Sequence, residues 1–155
     1  MKTSERLTEL GIKLPPPAAP VGSYLQAKVH ERLIFVTGQL AFVDGVIANP
    51  GLLGAELDAT QGALAARDCA LNSIAAAAAV VGGIDRIAGV LQATGFLACA
   101  PGFTAHSVVL NGASDLFVEV FGESGRHTRT NVGVGSIPLR SSVELQVTFE
   151  IIEGE

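Results

Sequence analysis

The final strand-like stretch of the chain alternates almost strictly between apolar and polar side chains. Its apolar positions are Val143, Leu145, Val147, Phe149 and Ile151, and its polar positions are Glu144, Gln146, Thr148 and Glu150. A period of two predicts a β-strand with one buried and one open face. The apolar face needs a covering layer, and the polar face is a natural place for a working carboxylate.

The rest of the chain predicts two long helices and several further strands. The spacing of Leu64, Leu71 and Ile74 predicts a helix that begins at Asp58 or Thr60 and ends near Val81. A second helix is predicted from about Thr104 to Phe121, and strands are predicted over Tyr24–Val29, Leu33–Thr37, Phe42–Ile47, Ile84–Ala98, Arg129–Ile137 and Val143–Ile152. This order predicts an α+β fold of two layers, with two helices on one face of a mixed β-sheet.

The N-terminal residues differ in pattern from the rest. Thr3–Leu10 is predicted to form a short amphipathic helix with Ser4 as its N-cap. Pro15, Pro16 and Pro17 then favour an extended segment. We therefore predict an N-terminal extension over residues 1–17 and a single domain over residues 18–155.

Composition favours an oligomer. Of 155 residues, 48% are hydrophobic and 16% are charged, and the mean hydropathy is +0.44. Charged or amide side chains interrupt each long apolar stretch before about 18 residues, which argues against a membrane protein. Burial against other copies of the chain explains the apolar composition.

Charge and cysteine usage exclude other classes. A net charge of −5 argues against a nucleic-acid partner. Cys69 and Cys99 lie thirty positions apart, which predicts neither a disulfide framework nor a metal site. The polar opening, Met1–Leu10, indicates a cytoplasmic protein.

A few residues stand out as functional candidates. Arg129, between two threonines, can hold a carboxylate by two parallel hydrogen bonds. Glu144 lies on the polar face of the last strand, and Tyr24 is the single tyrosine. Taken alone, each has a commoner explanation: a surface arginine, an exposed carboxylate and a packing tyrosine. Three further residues are expected to be solvated in loops, namely Arg126, His127 and Arg140.

In combination these residues resemble a known family. The matching segments are Pro20–Tyr24, Phe35–Gln39, Arg129–Val132, Ile137-Pro138 and Val143–Leu145. They resemble the Rid (reactive intermediate deaminase) family, also called the YjgF or L-PSP endoribonuclease family, from about Ala18 to Ile152. The resemblance implies a chorismate-mutase-like fold and a homotrimer with sites between subunits. It also implies hydrolysis of enamine and imine intermediates, such as 2-aminoacrylate, to 2-keto acids and ammonia, with no cofactor and no metal.

The resemblance also implies roles for individual residues. Arg129 would bind the carboxylate of a small imine or enamine substrate, and Glu144 would activate water. The residues that would shape the remainder of the pocket are Tyr24, Thr37, Gly38, Asn111 and Asn131. The family's best-known branch has serine where Thr37 stands and often cysteine where Asn131 stands. These departures mark a longer side branch, in which the substrate can differ.

Strand pairing bears on how the site is built. If Pro138–Ser141 closes a hairpin, Glu144 faces Gly135, and Arg129 lies roughly 20 Å away along the strand. The two side chains would then meet in one site only if different subunits supply them.

The residues alone leave three other functions open. A trimer that binds keto or amino acids without catalysis would use the same Arg129, although Glu144 favours an enzyme. A ribonuclease is disfavoured by the acidic charge, and a chorismate mutase by the lack of further candidate cations.

Overall fold

The structure is a computed structural model that describes residues 1–153. Its helices are α1 (Thr3–Glu9), α2 (Ala59–Val81) and α3 (His106–Phe121). Its strands are β1 (Ala27–His30), β2 (Leu33–Leu40), β3 (Phe42–Val43), β4 (Val46–Ile47), β5 (Ile87–Ala98), β6 (Thr128–Val134) and β7 (Val143–Ile151). The predicted domain limit at residue 155 lies outside the described residues, and the division at residue 17 stays a prediction.

Five strands form one sheet in the order β1-β2-β7-β5-β6. Neighbours are antiparallel except β5 and β6, which are parallel. The short strands β3 and β4 form a separate hairpin that turns at Asp44 and Gly45, both with positive φ. The predicted mixed α+β fold is confirmed.

The predicted hairpin between the last two strands is wrong. The chain passes from β5 through α3 to β6, and such a crossover places two parallel strands side by side. The connection at residues 138–141 then carries β7 past β5, where it fills the place between β2 and β5. Arg129 therefore pairs with Ala93, and Glu144 pairs with Phe96.

Helix α2 packs against β2 and β7, and α3 packs against β5 and β6. Of the two predicted caps, Asp58 and Thr60, it is Asp58 that caps α2, by accepting a hydrogen bond from the Gln61 backbone N–H at 2.8 Å. In residues 1–153, α2 is the one helix long and apolar enough to cross a membrane, and 61% of its most apolar window is buried within the domain. It is the core helix of this fold.

The two helices touch closely at Gly112. A Cβ atom at this position would lie 1.9 Å from the carbonyl oxygen of Ala63 on α2. This contact explains why glycine occupies the middle of α3 despite its poor helix propensity. The preceding residue, Asn111, is exposed and lies beside the edge strand β6, where it bonds to Arg129.

Two predicted details of the N-terminal region are wrong. Helix α1 begins at Thr3 with Lys2 at the N-cap, because the Ser4 N–H and hydroxyl instead donate to the Asp85 carboxylate at 2.8 and 2.7 Å. The first strand begins at Ala27, because Tyr24 lies in a local turn where its N–H bonds to the Gly22 carbonyl.

Candidate functional site

Arg129 on β6 is held by three acceptors from α3. One terminal nitrogen, Nη1, donates to Asn111 Oδ1 at 2.8 Å and to Ser114 Oγ at 3.1 Å. The other, Nη2, donates to the Ser107 carbonyl at 3.1 Å. These bonds use three of the five guanidinium N–H groups. Within residues 1–153 the two others, including Nε–H, have no protein acceptor, which leaves two donors for a carboxylate.

A hydrogen-bond chain behind Arg129 fixes its partner Ser114. His127 Nδ1 lies 2.6 Å from the Gly125 carbonyl, and His127 Nε2 lies 2.9 Å from Ser114 Oγ. The carbonyl can only accept, so Nδ1 carries a proton, and in the tautomer protonated at Nδ1 the ring nitrogen Nε2 accepts from the Ser114 hydroxyl. The Ser114 oxygen is thereby turned to accept from Arg129.

Asn131 lies on the same side of β6 as Arg129, two residues further on. Its side-chain nitrogen Nδ2 is buried and has no hydrogen-bond partner within residues 1–153. A buried N–H without an acceptor is costly, so this donor suits a ligand or another chain that supplies one. The predicted residues Arg129, Asn111 and Asn131 thus form one cluster at the edge of the sheet.

Glu144 belongs to a second cluster, with Gly38. A Cβ atom at Gly38 would lie 2.2 Å from Glu144 Oε1, so the carboxylate occupies the space that any other residue's side chain would fill. Gly38 and Thr37 lie in an irregularity of β2, where the register with β7 shifts between Val36 and Gln39. The bulge therefore positions Gly38 against the carboxylate.

The surroundings of Glu144 favour its neutral form. Leu40 and Phe96 flank it on the neighbouring strands. Burial raises the pKa of the Glu144 carboxyl above its usual value of 4.5. Within residues 1–153 Glu144 forms no ion pair that would oppose this shift.

The two clusters lie on opposite faces of the sheet. Arg129 pairs with Ala93, which points to the helices, while Glu144 pairs with Phe96, three residues further along the same strand. Because side chains alternate, an odd separation places Arg129 and Glu144 on different faces. Two strand spacings and three residues also separate their backbones by about 14 Å. One chain alone does not bring the two side chains into one pocket.

Of the two other predicted residues, Thr37 lies in the β2 irregularity beside Gly38, and Tyr24 lies in the segment before β1. The Thr37 N–H donates to the Gln26 carbonyl at 2.9 Å, and its side chain is half-buried. Tyr24 is 44% exposed, and its hydroxyl accepts from the Val21 N–H at 3.3 Å. Exposure leaves the Tyr24 ring available to another molecule.

Comparison with known proteins identifies the relatives of this chain. Residues 4–151 match the family described as "YjgF/chorismate mutase-like, putative endoribonuclease". The chain belongs to this family. The resemblance to the Rid proteins, which are also named YjgF, is confirmed.

Individual relatives of the YjgF family match over almost the whole chain. Protein TCP17 of Trypanosoma cruzi is 40% identical over 97% of this chain and 94% of its own. A structure from Shewanella oneidensis with the same endoribonuclease description has a TM-score of 0.93 at 31% identity, covering 97% of this chain and 99% of that one. RidA from a Psychrobacter species, at 24% identity and a TM-score of 0.57, covers 88% of this chain and 94% of its own and shares the fold.

Two residues of the candidate site are not predicted from the sequence. His127 was expected to be a solvated loop residue, but it is half-buried, packs edge-on against the Phe117 ring and bonds to Ser114. Ser114 carried no distinguishing signal, although it follows Asn111 by three residues on a helix and therefore shares its face. Arg126 and Arg140 are exposed, as expected.

Proposed function

We propose that this protein hydrolyses reactive imine and enamine intermediates of the 2-aminoacrylate type to 2-keto acids and ammonia. In this proposal a homotrimer carries three sites, and each site takes Arg129 from one subunit and Glu144 from a neighbour. The observation that carries the proposal is Glu144, a half-buried carboxylate with a raised pKa, because binding a substrate carboxylate alone gains nothing from a negative charge nearby.

Arg129 binds the substrate carboxylate through its two unused N–H donors. Since Asn111, Ser114 and the Ser107 carbonyl already fix the guanidinium, little conformational freedom is lost when substrate binds. Fixing the carboxylate orients the C=N carbon toward the attacking water. The Asn131 side chain lines the same edge and can donate to the substrate.

Glu144 performs the proton transfers. The enamine first tautomerises to the imine, and water then adds to the C=N carbon while the Glu144 carboxylate accepts a proton from that water. The protonated carboxyl returns that proton to the nitrogen, which gives a carbinolamine. Glu144 then takes the proton of the new hydroxyl group and passes it to the amino group, so that the C=O bond forms as the C–N bond breaks and releases ammonia and the 2-keto acid. Thr37, Gly38 and Tyr24 form the wall of the site around this water. The reaction uses no metal or cofactor.

The open face of the sheet supports the trimer. Phe35 is 45% exposed and Val132 is 43% exposed on strands whose opposite faces pack on helices. Apolar side chains on an uncovered sheet face favour burial against other copies. In the proposed trimer, the β6 edge of one copy, which carries Arg129, lies beside Glu144 of the next copy. A cytoplasmic location remains a prediction from the sequence.

A coupled deaminase assay tests the proposal. A pyridoxal-phosphate lyase generates 2-aminoacrylate from serine, and release of pyruvate is followed with and without the protein. We expect the wild type to accelerate release and Arg129→Ala to lower the effect by about 100-fold. Arg126→Ala, an exposed arginine three residues away, is the matched control and should behave as wild type.

The negative outcomes of this assay are also informative. No acceleration by a folded trimer would contradict the deaminase proposal for this substrate. If Arg129→Ala then also abolished binding of pyruvate or serine, a binding protein without catalysis would be favoured. Cleavage of RNA by the wild type but not by Glu144→Gln would favour endoribonuclease activity, which the family description names.

A further inference from the structure

A cavity of about 660 Å³ lies away from both Arg129 and Glu144. Residues 13–19 and Val21 form one wall, the β3–β4 hairpin forms a second wall, and one face of α2 forms the floor. Its volume is typical of small-molecule sites, at about 300–1,000 Å³. The end of the N-terminal extension thus has a structural consequence, because it forms one side of this open cavity.

The floor of the cavity carries an unpaired carboxylate. Asp68 on α2 is half-buried, and within residues 1–153 it has no hydrogen-bond or ion-pair partner. Burial raises the pKa of this carboxyl, and the nearby charge of Arg67 opposes the rise. A desolvated carboxylate gains most from a cation that restores its lost interactions.

A neutral acceptor lies beside the carboxylate. Asn72 is 5% exposed and uses its side-chain nitrogen to donate to the carbonyls of Leu40 and Phe42, both at 3.0 Å. Its amide oxygen remains as an acceptor in the lining of the cavity. Asp68 and Asn72 are four residues apart on α2, so they lie on the same face about one turn apart.

The rest of the lining is mostly apolar. Leu14, Pro15 and Leu71 contribute apolar surface, and the other charged groups are the exposed Lys13 and Asp44. Two carboxylates and one ammonium give this cavity a net negative charge. An anionic ligand is therefore disfavoured, and a neutral apolar ligand would leave Asp68 desolvated and unpaired.

We propose that this cavity binds a small apolar primary amine. Its ammonium group lies between the Asp68 carboxylate and the Asn72 amide oxygen, and its apolar body packs on Leu14, Pro15 and Leu71. Three N–H donors of an ammonium suffice for both acceptors and one water. This site is separate from the proposed deaminase site, so either can fail without the other.

Calorimetric titration of the full chain with 2-phenylethylamine tests the proposal, with 2-phenylethanol as the neutral analogue. We expect saturable binding of the amine and at least tenfold weaker binding of the alcohol. Asp68→Asn should weaken amine binding at least tenfold and leave alcohol binding unchanged. Asp115→Asn removes one exposed negative charge from α3 and should bind the amine as wild type does.

Two affinity results would overturn this proposal. One is the absence of saturable amine binding to the folded wild type up to about 10 mM. The other is equal amine affinity in the wild type and in a folded Asp68→Asn variant. Amide chemical shifts that move at the Arg129 cluster rather than at Leu71 and Asn72 would also assign the amine to a different site.

Discussion

At the residue scale, Arg129 is fixed by its neighbours rather than by a charge partner. Its three acceptors are one amide oxygen, one hydroxyl and one backbone carbonyl, all from α3. Neutral acceptors hold the guanidinium in place and leave its positive charge uncompensated for an anionic substrate. A carboxylate partner in the same position would compete with that substrate.

Ser114→Ala tests whether this support matters for substrate binding. The change removes one acceptor of Arg129 and the partner of His127, so the guanidinium is less well fixed. We expect KM for the imine substrate to rise about tenfold, with a smaller change in kcat. Ser107→Ala is the matched control, because Arg129 bonds to the Ser107 carbonyl, which this change keeps. Equal KM values in the two variants would contradict the positioning role.

Glu144 links stability to pH. Its pKa is raised in the folded chain above the usual value of 4.5, so the folded state holds the proton more tightly than the unfolded state. The stabilisation from this group is fully present below the unfolded pKa and is lost as pH rises through the folded pKa. In Glu144→Gln, we expect the free energy of unfolding no longer to decrease over the pH range in which Glu144 ionises. Urea denaturation at several pH values across that range measures this. If the free energy of unfolding depended on pH in the same way in the wild type and the variant, burial would not shift the pKa of Glu144.

At the element scale, several local sequence signals agree with the structure, whereas the predicted pairing of the last two strands does not. Asp58 at the start of α2 and Asp44-Gly45 in the hairpin have a local cause, and both predictions are confirmed. The neighbours of β6 depend on where α3 returns the chain, which no local pattern encodes. The sequence motifs identify Arg129 and Glu144 as candidate site residues. Their placement on opposite faces of the sheet follows only from the register of β5 with β6 and β7.

Gly112→Ala tests the contact between the two long helices. Alanine favours helix, but its Cβ would meet the Ala63 carbonyl on α2, so the helices must move apart. We expect a net loss of about 1–3 kcal/mol in the free energy of unfolding, measured by chemical denaturation. Asp115→Ala, at an exposed position of the same helix, should change it by less than about 0.5 kcal/mol. A stabilised Gly112→Ala would show that the helices can separate without cost.

At the scale of the whole molecule, the residues of the proposed site lie on two faces of one sheet. Arg129 lies on the helix side of the edge strand β6, and Glu144 lies on the open face of β7. The apolar side chains on the open face favour a neighbouring copy there. In the proposed function, oligomerisation is a condition of catalysis, and an isolated subunit would carry two incomplete half-sites.

Mixing two inactive variants tests this central claim most directly. Arg129→Ala keeps Glu144, and Glu144→Gln keeps Arg129, so each alone should be nearly inactive in the coupled deaminase assay. After unfolding and refolding together in equal amounts, one site in four would pair an intact Arg129 with an intact Glu144. We predict recovery of about a quarter of the wild-type rate. Mixed trimers that remain as inactive as the separate variants would contradict a site shared between subunits.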